Sequence, residues 1–245
     1  MRQKKRLVLL MAAFLLTTIA CGATLAQTIR GDAPAEDAIR RGNIRYAKSE
    51  YEAAIKEYRQ VPADADEIYA QSLYNMGVCY YELWRTDDAI CMYRQAIEAR
   101  RGRYPKALYS LGVALRDSGR LREAKEAYRQ AIKTSGGKYA PAQYMLGLLV
   151  MAEGDDEAAA ALFRDAISRS KDRFPASHNN LGVTLARLGR LTEAEREFEV
   201  ALRQSDGAFD EAAHNLKLCR RLLASPGKAE VTSLKIVETP TGLNR

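Results

Sequence analysis

Between residues 35 and 223 apolar side chains return every three or four positions, in runs of about a dozen residues separated by short polar breaks. Pairs of helices joined by tight turns are the predicted elements. The stretch around Gly112 shows the pattern cleanly. Ala107, Leu108, Leu111 and Leu115 form one stripe, Asp117-Ser118-Gly119-Arg120 interrupts it, and Leu121, Ala124, Tyr128 and Ala131 form the next. So short a break makes the two helices antiparallel neighbours. The hairpin then recurs. Gly42, Gly77, Gly112, Gly147 and Gly182 stand 35 residues apart; Ala54, Ala89, Ala124, Ala159 and Ala194 keep the same interval, as do Tyr58, Tyr93, Tyr128, Phe163 and Phe198. Self-similarity at such a period marks stacked copies of one supersecondary unit.

Small side chains at fixed places imply close helix crossings. Glycine on the first helix and alanine on the second let the backbones approach despite glycine's helix cost, and the later aromatic fills the wider gap beside them. Ala96, Ala131, Ala166 and Ala201 supply a further small contact toward the next copy, with Val61 in that place in the first. The copies read Met76-Gly77 with Ala89, Tyr93 and Ala96; Leu111-Gly112 with Ala124, Tyr128 and Ala131; Leu146-Gly147 with Ala159, Phe163 and Ala166; and Leu181-Gly182 with Ala194, Phe198 and Ala201. This pattern resembles the tetratricopeptide repeat family. The period is one residue longer than that family's usual 34, helix A lacks its early Trp, and Pro105, Pro141 and Pro175 open the following helix instead of closing helix B.

The resemblance implies an all-α, right-handed α-solenoid of five hairpins, about 35–69, 70–104, 105–139, 140–174 and 175–209, closed by a solvating helix over 210–224. The ends fit that role. Arg41 and Arg45 replace the apolar pair of the first helix A, while Lys217 and Arg220 fall where glycine and an apolar residue would stand in the last. Beyond Ser225-Pro226-Gly227, residues 231–238 have β-type composition. For the tail, 225–245, disorder is the expectation; the alternative is that 231–238 adds as an extended strand to a partner or folds back into the protein's own groove.

Ahead of the repeats Arg2, Lys4, Lys5 and Arg6 precede the uncharged run Leu7 to Ala20, the layout of a signal peptide over 1–20. Thr18-Ile19-Ala20-Cys21 resembles a relaxed bacterial lipobox, which implies lipidation of Cys21, a tether over 21–34 and, with Gly22 next, an outer-membrane address. Two or more acyl chains would give stable anchoring. Ordinary cleavage near Ala23 or Ala26 and an uncleaved anchor through Ile29 stay open. Under each alternative the repeats lie outside the cytoplasm.

Without the four basic leader residues, 38 Lys and Arg against 31 Asp and Glu falls to 34 against 31, so the basicity belongs mostly to the leader. No basic block interleaved with aromatics argues for nucleic acid. Cys79 and Cys219 occupy equivalent positions four copies apart, out of disulfide reach; Cys79 reads as a buried small hydrophobe and Cys91 as a partly exposed thiol. His178 and His214 have no acidic or cysteine partner at catalytic spacing, and Gly154-Asp155-Asp156-Glu157 reads as the start of a helix rather than a calcium loop. No catalytic residue, metal or cofactor is expected.

The resemblance places function on a concave face lined by helix A. The corresponding positions here are Tyr74, Tyr109, Tyr144, Asn179 and His214; then Asn43, Val78, Val113, Leu148 and Val183; then Tyr46, Tyr81, Arg116, Met151 and Arg187. Such a groove suits an extended or helical peptide, although tyrosines at these positions also serve packing. The expected function is a membrane-tethered extracytoplasmic adaptor that docks other envelope proteins, or itself, in envelope assembly. The alternative is a secreted or anchored ligand-binding module that recruits a peptidoglycan enzyme.

Overall fold

The computed structural model describes residues 33–171, 173–225 and 231–238. The leader, Cys21 and most of the tether lie outside them. Ten helices follow an initial one, α1, over 33–47. The described residues form helices, turns and one extended stretch, with no strand.

The chain divides into two compact units, split after Gly102. In the first, α1 and α2 (Tyr51–Tyr58) precede the hairpin of α3 (Asp66–Glu82) and α4 (Thr86–Ala99). Helix α3 packs on both α2 and α4. The second unit runs α5 (Pro105–Asp117), α6 (Leu121–Thr134), α7 (Ala140–Ala152), α8 (Asp156–Arg169), α9 (Pro175–Arg187), α10 (Leu191–Gln204) and α11 (Asp210–Ala224). Each of these packs on the next, and α11 also touches α9. Within each unit the helical hairpins stack, the solenoid arrangement in which neighbouring copies bury a continuous seam.

The period has a direct cause at the crossings, and it differs from the expected one. The helix-A glycine faces the helix-B aromatic, not only the alanine. A methyl group on Gly77 would lie 2.6 Å from the Tyr93 ring, on Gly112 2.5 Å from Tyr128, on Gly147 2.9 Å from Phe163 and on Gly182 2.6 Å from Phe198. Those rings close directly on bare backbone, and Tyr128, Phe163 and Phe198 are wholly buried. The alanines at 54, 89, 124, 159 and 194 are equally inaccessible.

Helix ends are built in the same frame. Helices α5, α7 and α9 each close with a glycine of positive φ, Gly119, Gly154 and Gly189, and the amide after it bonds back to the carbonyl five residues earlier, as in Arg120 N to Leu115 O at 2.8 Å. Ser49 and Trp84 take this place after α1 and α3, with φ of 58° and 59°. Between copies, Arg101-Gly102, Gly136-Gly137 and Asp206-Gly207 place two left-handed residues in succession. Helix starts use proline at α5, α7 and α9, while Asp155 caps α8 by accepting from Ala158 N at 3.1 Å. Helix α2 stops at Tyr58, before Val61-Pro62, where proline disfavours helical backbone.

The ends are solvated. Arg41 is exposed and pairs with Glu57 at 2.7 Å; Lys217 is exposed, and Arg220 forks to Glu195 and Glu199 at 2.7 Å each. Disorder, the expectation for the tail, does not describe residues 231–238. Leu234 and Val237 are buried, because the backbone around them finds hydrogen-bond partners on the helices of the second unit.

Candidate peptide-binding groove

Helix α9 buries an unusual run of polar residues: Ser177, His178, Asn179, Asn180 and Thr184. Asparagine is a poor helix former because its carboxamide competes for backbone, so two in succession inside a buried helix call for partners. Ser177 donates to the Phe163 carbonyl at 3.1 Å and Thr184 to the Asn180 carbonyl at 2.7 Å. His178 Nδ1 lies 2.7 Å from Glu197 Oε2 on α10, an acidic partner that spacing along the chain did not reveal. No nucleophile joins that pair among the contacts described.

The two asparagines, with Asn215 on α11, hold the tail by its main chain. Asn180 accepts from the Val237 amide at 2.9 Å and donates to the Val237 carbonyl at 2.8 Å. Asn215 repeats the operation two residues earlier, accepting from the Lys235 amide at 2.8 Å and donating to its carbonyl at 2.8 Å. Each carboxamide thus mimics a neighbouring peptide group. Asn180 and Asn215 stand one repeat apart in sequence, and the residues they hold, 237 and 235, stand two apart along the tail.

The remaining hydrogens are committed as well. Asn179 donates to Asn180 Oδ1 and to the Lys235 carbonyl, both at 3.1 Å, while Asn215 donates to Asn179 Oδ1 at 2.9 Å and Asn180 to Tyr144 Oη at 3.0 Å. Tyr144 in turn donates to the Val237 carbonyl, and His214 Nε2 lies 3.3 Å from the Ser233 carbonyl. All six N–H bonds of the three carboxamides therefore have acceptors. Burial holds the Tyr144 phenol well above its ordinary range, opposed by the Asn180 hydrogen bond, so it stays a donor. The tail runs from α11 past α9 to α7, opposite to the order of the helices.

Of the residues expected to line a groove, Tyr144, Asn179 and His214 meet the tail. Asn180 and Asn215, which carry the paired contacts, were not among them. A signal was present: the same residue type one repeat apart, at a helix position where packing offers no use for it. The tyrosine ladder is largely packing. Tyr74, Tyr109 and Tyr144 each lean on the helix-B aromatic of their own copy, with ring centroids 5.8, 6.0 and 5.7 Å from Tyr93, Tyr128 and Phe163. The Tyr46 ring lies tilted against Tyr51 with centroids 5.6 Å apart, and Asn43 accepts from Tyr58 at 2.8 Å. Val78, Tyr81, Val113 and Leu148 are half-buried and Val183 is buried. Arg116 pairs with Asp117 at 2.7 Å, Arg187 with Asp156 at 3.1 Å, and the Met151 sulfur lies 3.4 Å from the Thr184 hydroxyl.

Among the described residues the cysteines, Cys79, Cys91 and Cys219, are free thiols. Burial pushes Cys79 up to about 12, with Glu82 adding to it, and Cys219 up to about 11, while Cys91 is exposed. Both buried thiols are therefore inert at neutral pH.

Comparison with known proteins agrees with the geometry. The tetratricopeptide repeat family model matches residues 74–138, 109–177 and 144–209, and a second model of that family matches 35–102. Among solved structures, a MamA protein is 25% identical with a TM-score of 0.59, the match covering 71% of this chain and 92% of that one. PilF of Pseudomonas aeruginosa is 16% identical with a TM-score of 0.63, covering 83% and 97%. YrrB, described as a TPR protein with an unusual peptide-binding site, is 21% identical with a TM-score of 0.57, covering 74% and 90%. No curated protein matches the sequence.

Proposed function

Because the chain belongs to the tetratricopeptide repeat family, we propose that it is a protein-interaction scaffold whose Asn180–Asn215 groove grips an extended segment of a partner, and that it works outside the cytoplasm, tethered through Cys21. The observation that carries the binding role is the double pairing of two carboxamides, one repeat apart, with the main chain of residues 235 and 237. Main-chain hydrogen bonds supply affinity for extended peptides, and pockets for side chains supply choice. A helix that buries several amides with matched spacing is suited to binding, and YrrB offers a precedent for peptide binding on a fold of this kind. The likeness to PilF is one of fold.

The extracytoplasmic placement rests on the leader: four basic residues, a long uncharged run and the Thr18-Ile19-Ala20-Cys21 sequence. A lipid anchor at Cys21 followed by a short tether would present the repeats to other envelope proteins.

Two measurements test this function. Photo-crosslinking in intact cells from a residue beside the groove is compared between the wild type and Asn180→Leu with Asn215→Leu, with circular dichroism confirming that both chains fold. Loss of the crosslinked proteins in the double variant is expected; identical crosslinks would move the binding surface elsewhere. Metabolic labelling with palmitate and cell fractionation test the tether. Cys21→Ser is expected to abolish labelling and membrane association, and a wild-type chain recovered unlabelled from the cytosol would refute it.

A further inference from the structure

We infer that the groove takes an internal, extended segment bearing two apolar side chains three residues apart, and that residues 231–238 are a copy of that ligand, held in cis, with which any partner must compete. The inference rests on the groove being a peptide site and adds the identity class of its occupant.

Three observations lead to it. On the tail, the hydrogen bonds of Asn180 and Asn215 reach only main-chain N–H and C=O groups, so nothing in them requires the side chains of Lys235 or Val237. Lys235, Ile236 and Glu238 are exposed, whereas Leu234 and Val237 are each 8% exposed. Choice therefore lies in the apolar pair, and charge contributes little. The readers of the backbone are neutral amides and a protonated phenol, and residues 239–245 follow the seated stretch in sequence. A chain end or a carboxylate is thus not what the groove is built to hold.

The seated tail also explains why the amides tolerate burial. With residues 235 and 237 gone, Asn179, Asn180 and Asn215 each lose an acceptor and Tyr144 loses its own. Such groups favour replacement of the tail by an equivalent main chain over an empty groove. Only residues 225–230 join α11 to the seated stretch, and a short tether places an intramolecular ligand at an effective concentration of about millimolar. An external segment is weakened by one plus the ratio of that concentration to the tail's own Kd, roughly tenfold for a Kd near 100 μM.

The test titrates a fluorescein-labelled synthetic peptide of residues 231–238 into three proteins: the full chain, a chain ending at residue 230, and the full chain carrying Leu234→Ser with Val237→Ser. The serine variants alter only the tail and leave the helices intact. Both the shortened and the serine-substituted chains are expected to bind about tenfold or more tightly than the full chain. A peptide with Lys235→Glu is expected to bind within about threefold of the original, and one with Leu234→Ser and Val237→Ser to lose binding. Equal affinity in all three proteins overturns the competition while leaving the groove a peptide site. No binding to the shortened chain removes the peptide site itself. Retained binding of the serine peptide overturns the apolar pair as the basis of choice.

Discussion

Adding one methyl group at Gly112 should destabilise the protein, although alanine is the better helix former. In α5 the change to alanine gains about 0.8–1.0 kcal/mol of intrinsic helix preference. Against that, the new carbon would stand 2.5, 2.7 and 3.0 Å from three atoms of the Tyr128 ring. Carbon atoms rest about 3.5–4.0 Å apart, so the ring must retreat by roughly 1 Å. Tyr128 is 0% exposed, so the ring must retreat against buried neighbours rather than into solvent. Overpacking of this kind costs about 1–3 kcal/mol, which gives a net loss of up to about 2 kcal/mol for Gly112→Ala. At Gly147 the closest ring atoms would be 2.9, 3.1 and 3.2 Å away, so Gly147→Ala should come close to neutral. Urea unfolding followed by circular dichroism gives the ranking. Hydrogen exchange at the α6 amides checks it locally, because stacked repeats need not unfold in one step. Tyr128→Leu in the Gly112→Ala background should recover part of the loss, a coupling of about 1 kcal/mol between residues in contact. A Gly112→Ala chain as stable as the wild type, or a larger loss at Gly147 than at Gly112, would refute the proposed glycine–ring contact.

Further expectations concern the crossing, the turns and the thiols. Ala124 is 0% exposed, so Ala124→Leu should overfill the α5–α6 crossing and lower stability by about 1–3 kcal/mol in the same unfolding assay; unchanged melting would mean a looser crossing. Trp84 is 92% exposed with φ of 59° where later copies have glycine, so Trp84→Gly should stay within about 1 kcal/mol of the wild type, relief of the left-handed backbone offsetting glycine's entropy. A loss of several kcal/mol would show the indole to be packed. Cys79 and Cys219 have folded values raised to about 12 and about 11, so their contribution is full below the unfolded thiol pKa of about 8.5 and is lost as pH rises from there toward those folded values. Stability should fall by about 1.4 kcal/mol per pH unit per thiol in that window, and Cys79→Ala with Cys219→Ala should flatten the urea midpoint against pH; an unchanged slope would count against buried thiols.

The architecture was legible because it repeats. One frame placed the glycines, the alanines and the aromatics, and helices fall where the apolar stripes predicted them. What the frame did not reveal was which small residue touches which large one. Gly112 and Tyr128 lie 16 residues apart across a turn, and the distance of approach depends on how far one helix rolls over the other. His178 and Glu197 were separated for the same reason. The groove was legible in part. Positions 144, 179 and 214 follow one stripe of helix A, but Asn180 and Asn215 sit one residue on, about 100° further round the helix. Composition suggested an extended segment at 231–238; its seat depended on side chains from α7, α9 and α11 converging, which no local pattern encodes.

Copies within one chain separate packing from recognition without any second sequence. Where a position builds the seam it barely varies: glycine in all five copies, alanine twelve residues on, a ring four beyond. At the position of the backbone-reading amide the five copies run Arg40, Asn75, Ser110, Met145 and Asn180, with Asn215 on the closing helix; one residue earlier they run Ile39, Tyr74, Tyr109, Tyr144 and Asn179, with His214 on the closing helix. A seam tolerates no such variation, because each copy must fit an identical neighbour. Variation therefore marks positions that the glycine–ring crossing does not fix, even where the side chain packs, as Tyr74, Tyr109, Tyr144 and Met145 do. Within the second unit the change from Met145 to Asn180 and Asn215 coincides with the stretch where the tail is gripped. Two neighbouring helices that each read the N–H and C=O of one residue are what an extended ligand requires, since the pair of contacts fixes its direction and its register.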